Sequence, residues 1–197
     1  MTEPIPIVLF AYNRPDCLRQ TLACLRENRA LLIYAFSDGP KTPEAADRVE
    51  EVRNILRSID WCDVILCERE ANLGLGVSIR TGVAEVLKEH EMIIVFEDDL
   101  ICAPGAYDYL CAALRHYKDD HRVMSVTGWT HPRITPKDVG DQPYFDCSST
   151  RATKTLSIDH FLLNGYANFL GDGSMACRVF GQILAWRGRN GRLFRHR

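Results

Sequence analysis

From Ile5 to Ala11 the chain is apolar almost without a break and rich in Ile, Val and Phe. Such continuity suits a parallel strand covered on both faces, where an alternating pattern would suit a half-exposed one. Asn13-Arg14-Pro15 follows, a capping residue with proline just inside a helix, and Leu18, Leu22 and Leu25 then share one helical face. This predicts a helix to about Asn28. A second strand is predicted over Leu31 to Phe36, closed by Ser37-Asp38-Gly39-Pro40, whose glycine and proline force a turn.

Thr42-Pro43 repeats the cap-then-proline start, and Val49, Val52, Ile55, Leu56 and Ile59 form a helical apolar stripe among charged residues. A third strand is predicted over Asp63 to Cys67. The loop Asn72-Leu73-Gly74-Leu75-Gly76 leads to a helix carrying Ile79, Val83, Val86 and Leu87 on one face. Met92 to Phe96 is a fourth strand that runs straight into Glu97-Asp98-Asp99, and Ala106, Leu110, Ala113, Leu114 and Tyr117 mark a fourth helix. Val123 to Thr127, closed by Gly128-Trp129, predicts a fifth strand. Strands alternating with helices imply an α/β fold, a mostly parallel sheet flanked by helices, because parallel strands need crossovers. After Trp129 the pattern fails: Pro132 to Gly140 reads as loop, and Ser148 to Lys154 shows no clear period.

Composition changes little in this picture and narrows the chemistry. The 197 residues are 46% hydrophobic and 25% charged, values of an ordinary globular chain. No apolar run approaches the roughly 20 residues of a membrane-spanning helix, so any membrane contact is expected to be peripheral. The start, Met1-Thr2-Glu3-Pro4, has no basic region followed by a long apolar one, which leads to the expectation of a cytoplasmic chain. The eight cysteines contain no CxxC pair and no finger-type Cys/His spacing, so reduced thiols are expected, mostly as small buried apolar groups. The net charge of −2 is uneven, since residues 178–197 hold six arginines and no acid, leaving −8 on the remainder. Arg187-Gly188-Arg189-Asn190-Gly191-Arg192 suits either contact with a phosphate-bearing lipid or a plain basic tail, and no nucleic-acid partner is expected.

In doubly wound sheets ligands bind beyond the carboxyl ends of the strands, where the polar residues of this chain fall. Three adjacent carboxylates, Glu97, Asp98 and Asp99, repel one another and need a cation, a proton or water to compensate them. Mg2+ or Mn2+ is the natural partner, taking one or two carboxylates with water and phosphates completing its shell; a hydrated strand end is the plainer alternative. Arg14 suits a phosphate or the face of a base, and Asp38 suits donors on a base or ribose. Each is also an ordinary helix-start or turn residue. Arg80, one turn into its helix, either reaches the same edge or is solvated. The Asn72 to Gly76 loop lacks the Walker lysine and the GxGxxG spacing, so its glycines need do no more than permit a turn.

Taken together, Ile7 to Pro15, Ser37-Asp38-Gly39, Asn72 to Gly76 with Ser78-Ile79, Phe96-Glu97-Asp98-Asp99-Leu100 and Thr127-Gly128-Trp129 resemble the nucleotide-sugar half of GT-A glycosyltransferases. The resemblance is to bacterial family 2-like sugar transferases and to the N-acetylglucosaminyltransferase I group, whose DXD-type motif is written EDD. It implies a Rossmann-like GT-A fold, with residues 1–130 as the donor half and 131–197 as an atypical C-terminal segment. It implies that Arg14 and Asp38 contact uracil or an equivalent base, that Gly39, Asn72 and Arg80 line the nucleotide-sugar site, and that Asp98 lies near the ribose. Asp99, with Glu97 beside it, would hold the Mn2+ or Mg2+ that bridges the diphosphate. The implied reaction is metal-dependent, inverting transfer from a nucleoside-diphosphate sugar, UDP-linked by preference, to a glycan or lipid-linked acceptor in surface-polysaccharide synthesis.

Past the fifth strand the resemblance stops. Where such enzymes carry a WGWATW-like stretch and a catalytic acid, this chain reads Phe145-Asp146-Cys147-Ser148-Ser149-Thr150, and no spacing chooses among Asp146, Asp159 and Asp172 as a base. Two alternatives therefore stand beside the transferase: a nucleotide-binding chain without turnover, and a Mg2+-dependent phosphotransferase or phosphatase, for which neither nucleophile nor phosphate loop is evident. A reading-frame change near Cys147 would account for the break and the charge shift together. Translation of the coding DNA in its other two frames should then expose a WGWATW-like stretch, and its absence from both removes the idea.

Overall fold

The computed structural model describes residues 3–120, 125–127 and 184–187. Four strands, β1 (Ile7–Ala11), β2 (Leu32–Ser37), β3 (Asp63–Glu68) and β4 (Met92–Glu97), run parallel in the order β3-β2-β1-β4. Ile7 stands opposite Ile33 on one side and Ile94 on the other, which centres β1 in the sheet. Every residue of β1 is buried, as its unbroken apolar run requires. β3 lies at the edge, where Ile65 is 49% exposed and its residues are only partly covered.

Alternation along β1 sorts the core into two layers. Ile7, Leu9 and Ala11 face α1 (Pro15–Glu27), α2 (Ala46–Arg57) and α4 (Ala106–His116), meeting Leu18, Leu25, Val52, Leu56 and Leu110. Val8 and Phe10 face the opposite way, onto Val83 and Val86 of α3 (Leu75–Val86). The mostly parallel sheet flanked by helices is the Rossmann-like architecture expected, consistent with a GT-A fold. Among the described residues no helix is long and apolar enough to cross a membrane.

Several boundaries depart from the sequence reading. Asn13 does not cap α1; Arg14 holds that place, without a capping side-chain bond, since a guanidinium has no acceptor to offer the first N–H groups of the helix. Pro15 does open the helix. Thr42-Pro43 starts a short 3₁₀ turn, Pro43–Ala45, and α2 begins one residue later. Of the expected fifth strand, Ser125–Thr127 (β5) is a strand and Val123 and Met124 lie outside the described residues; β5 does not pair with β4. A sixth strand, β6 (Leu184–Arg187), lies between them and runs antiparallel to both, with Met92 opposite Arg187 and Val126 opposite Ala185. Part of the arginine-bearing end is thus a sheet strand, where composition alone gave no such element. Gly128-Trp129, Phe145 to Lys154, the carboxylates Asp146, Asp159 and Asp172, and Gly188 to Arg192 lie outside the described residues.

β2 and β3 extend the sheet on one side of β1 and β4 extends it on the other. The winding direction therefore reverses between β1 and β4, and a crevice opens beyond their carboxyl ends. Arg14 and the acidic run Glu97-Asp98-Asp99 follow those two strands.

Gly82 fixes how closely α3 approaches the sheet. A Cβ there would stand 2.7 Å from Phe10 Cε1 and 3.1 Å from Phe36 Cδ2, two rings stacked with centroids 5.4 Å apart. Gly82→Ala should gain up to ~1 kcal/mol of helix propensity and lose about 1–3 kcal/mol to overpacking, lowering stability overall. Urea unfolding checks the sign, and a stabilised variant would show that the rings move aside freely.

Candidate functional site

Asp98 is the most enclosed charge at the β1/β4 crevice, 2% exposed. Its carboxylate survives there because both oxygens are engaged: Oδ2 accepts from the Tyr12 backbone N–H at 3.1 Å, and Oδ1 from the Arg14 guanidinium at 2.5 Å. The Thr21 hydroxyl donates to the Asp98 carbonyl at 3.0 Å, fixing the backbone as well. Arg14 reaches Asp99 Oδ2 at 2.7 Å with its other terminal nitrogen, so one guanidinium spans two consecutive carboxylates. Such charge-assisted forks are strong and directional. Arg14 itself is 44% exposed, so its side chain is still partly accessible from solvent.

Burial pushes the Asp98 carboxyl above its ordinary value, while Arg14 and the Tyr12 amide pull it back. Glu97 has less help. Burial first, then Asp99 and Asp98, push its carboxyl up to about 7, with Arg14 opposing them, and its side chain makes no hydrogen bond to a described residue. An arriving cation would favour the ionised carboxylate, and the proton would leave to water.

Asp38, at the end of β2, is nearly as enclosed. Its Oδ2 accepts from the backbone N–H groups of Leu73 and Gly74, each at 3.0 Å, so the side chain pins the loop after β3. Its Oδ1 is buried without a hydrogen-bond partner, 3.9 Å from the Arg69 guanidinium. The loops are also tied by Asn72, whose Nδ2 donates to the Gly39 carbonyl at 2.9 Å. Gly39 is needed for that approach, since a Cβ there would lie 2.5 Å from the Glu70 carbonyl oxygen. Gly74 opens α3 with φ +76, in the left-handed region that favours glycine.

Arg69 and Tyr12 escaped the sequence reading. Arg69 donates to the Ser78 hydroxyl and to Thr81 Oγ1, and stacks over Phe36 at 5.2 Å. Its signal was positional: it follows β3 as Arg14 follows β1. The Tyr12 hydroxyl accepts from the Lys41 amide at 2.9 Å, joining the ends of β1 and β2. The structure therefore brings Arg14, Glu97, Asp98 and Asp99 into one group and Asp38, Gly39 and Asn72 into another along the same edge. Arg80 joins neither, its side chain making no hydrogen bond or ion pair to a described residue.

No three His, Cys, Asp or Glu side chains among the described residues are grouped to enclose a metal ion. Asp99 keeps Oδ1 beyond its bond to Arg14, and Glu97 keeps both oxygens. These hard oxygen donors fit Mg2+ or Mn2+ in the mode where water and substrate phosphates supply the other positions.

Residues 7–156 match the family described as Glycosyl transferase family 2. Two solved structures are similar. One is the mannosyltransferase PcManGT from Pyrobaculum calidifontis, in complex with GDP-Man and Mn2+, at 18% identity and TM-score 0.49, covering 68% of this chain and 37% of that one. The other is Rv0371c from Mycobacterium tuberculosis H37Rv, at 17% identity and TM-score 0.32, covering 60% of this chain and 61% of that one. The chain thus spans little more than a third of the mannosyltransferase's length. No curated protein matches it.

The Arg14–Asp98 pair should be energetically coupled. Breaking a buried pair costs about 3–5 kcal/mol, and the exposure of Arg14 reduces this, so Arg14→Met should cost about 1–3 kcal/mol. In a double-mutant cycle with Asp98→Asn, the coupling should reach about 1–2 kcal/mol, and losses that simply add would show the two side chains to be independent.

Proposed function

The chain belongs to glycosyl transferase family 2, and from that premise we propose that it binds a nucleoside-diphosphate sugar at the β1/β4 crevice and takes part in glycosyl transfer. The observation that carries this reading is the joining of Arg14 to Asp98 and Asp99 where the sheet reverses its winding.

In this proposal the two groups of residues divide the donor between them. Asp38 Oδ1, buried and without a hydrogen-bond partner, accepts from an N–H of the base, while Gly39 and Asn72 hold the surrounding loops in place. Arg14 offers its accessible part to the base or the diphosphate. Asp98, saturated by the Tyr12 amide and Arg14, keeps the crevice wall rigid beside the ribose. Asp99 and Glu97 would hold Mn2+ or Mg2+, which when bound neutralises charge building on the departing diphosphate. Arg80, one turn into α3 and in neither group, is proposed to turn toward the donor when it binds. UDP is the proposed nucleotide, a glycan or lipid-linked hydroxyl the proposed acceptor, and inversion the proposed outcome. Residues 1–130 form the donor half in this scheme, completed by the β6 strand from the 131–197 segment. A kinship with the N-acetylglucosaminyltransferase I group is proposed on the Phe96-Glu97-Asp98-Asp99-Leu100 spelling alone.

Calorimetry of the whole chain with UDP and with GDP, each with and without MnCl2, tests the donor site. One nucleotide should bind at least about tenfold more tightly with Mn2+, and Asp99→Ala should abolish that gain. Binding indifferent to both the metal and the substitution, or no binding of either nucleotide, overturns the proposal. Release of nucleoside diphosphate from a panel of nucleotide sugars with glycan acceptors then measures turnover.

A further inference from the structure

Behind the acidic edge lies a pair of side chains that the donor site does not use. Cys24, on the inner face of α1, and Cys102, in the stretch between β4 and α4, are both buried, with their sulfurs 3.4 Å apart. They are 78 residues apart in sequence, and their surroundings treat them differently. The Cys102 thiol and the Cys102 backbone N–H both point at Cys24 Sγ, the latter at 3.4 Å. Asn28 Nδ2 donates to Cys102 Sγ at 3.3 Å, and its Oδ1 accepts from the Tyr107 N–H at 3.2 Å, anchoring the Cys102 side of the pair to α4. Two donors on one sulfur favour its thiolate.

We propose that Cys24 and Cys102 form a redox modification site, closing to a disulfide under a peroxide-class oxidant and reopening under a thiol reductant. The inference is independent of the donor-site reading. The Cys24 thiolate attacks one peroxide oxygen, so an S–O bond forms, the O–O bond breaks and hydroxide leaves to be protonated to water. The Cys102 sulfur, giving up its proton, then attacks the sulfenic sulfur; the S–S bond forms, the S–O bond breaks, and the second oxygen leaves as water. Two thiols lose two electrons together and one peroxide is reduced to two waters.

The hydrogen bond from the Cys102 thiol, with that from the Cys102 amide, lowers the Cys24 thiol below its ordinary value against the effect of burial, and the same pairing raises Cys102. The Cys102 amide and thiol, both aimed at Cys24 Sγ, assign Cys24 as the attacking member and Cys102 as the resolving one. The sulfurs must close by about 1.4 Å to reach bonding distance. Cys102 sits outside helix and strand, in a segment ending at Gly105 with φ +85, so the movement falls on irregular backbone. The site also adjoins the crevice: as a thiol Cys24 Sγ donates to the Thr21 carbonyl at 3.0 Å, a bond given up on ionisation, and the Thr21 hydroxyl holds the Asp98 backbone. Cys17, Cys62, Cys67 and Cys111 are free thiols, and none has a sulfur partner among the described residues.

Treatment of the full chain with hydrogen peroxide, followed by alkylation and peptide mass mapping, tests the site. The expected result is a loss of 2 Da and a linked Cys24–Cys102 peptide that appears before any other pair and vanishes with dithiothreitol. Cys102→Ser should leave Cys24 as a sulfenic acid captured by dimedone. Recovery of Cys24 and Cys102 as alkylated thiols while other cysteines oxidise overturns the proposal, as does a linked peptide that joins either one to a different cysteine first. The wild-type mapping decides the matter even if the serine variant fails to fold.

Discussion

A carboxylate that is 2% exposed cannot remain ionised without compensation, and the compensation of Asp98 organises the crevice. Its two oxygens take one backbone N–H from the end of β1 and one guanidinium from the start of α1. The strand pair that defines the reversal of winding is thereby fastened across its open end by polar bonds, where the ladder of the sheet has stopped. Arg14 is then committed to two acids at once, so the positive charge facing the crevice has a fixed place. Remove this fastening and the helix start, the acidic run and the wall of the crevice all lose their reference point.

The neighbouring strands solve a related problem by other means. Between β2 and β3 the loops are drawn together by Asp38, Asn72 and Gly39, largely through backbone groups. Asp38 spends one oxygen on that task and keeps the other in a dry place, near Arg69 but beyond hydrogen-bond reach. A buried acceptor without a partner costs about 1–3 kcal/mol, a penalty that an incoming N–H would relieve. Asp98 and Asp38 are thus unlike although both are buried: one is saturated by the fold and braces it, and the other is left half-used.

Much of this was legible in the residues, for identifiable reasons. Unbroken apolar runs marked β1 and β4 because strands covered on both faces tolerate few polar side chains, and Leu18, Leu22 and Leu25 marked α1 because only one face of it is buried. The strand-end positions of Arg14, Asp38 and Glu97-Asp98-Asp99 followed from those assignments. The pairing of Arg14 with Asp98 did not, because it depends on β1 and β4 being neighbours, which strand order decides and local pattern does not. Arg69 is not legible in the sequence, because an arginine in Cys67-Glu68-Arg69-Glu70 looks like ordinary surface charge until Asp38 and Ser78 are placed around it. β6 was invisible for a similar reason: four residues, Leu184 to Arg187, carry no period of their own, and their strand character comes from the partners that flank them.

That sixth strand has a consequence for the order of assembly. Residues up to α4 contain four strands and the helices that cover them, whereas the neighbour β4 needs on its outer side comes from near residue 185. During synthesis the acidic strand emerges long before its partner. Until β6 arrives, the flank of β4 presents a row of unpaired amides and carbonyls, the kind of edge that invites pairing with another chain. High sequence separation makes this pairing a late and slow step, so the strand bearing Glu97 gains its second neighbour after β1 and β2 have gained theirs, and the nascent chain is open to wrong partners at the place where its chemistry is concentrated.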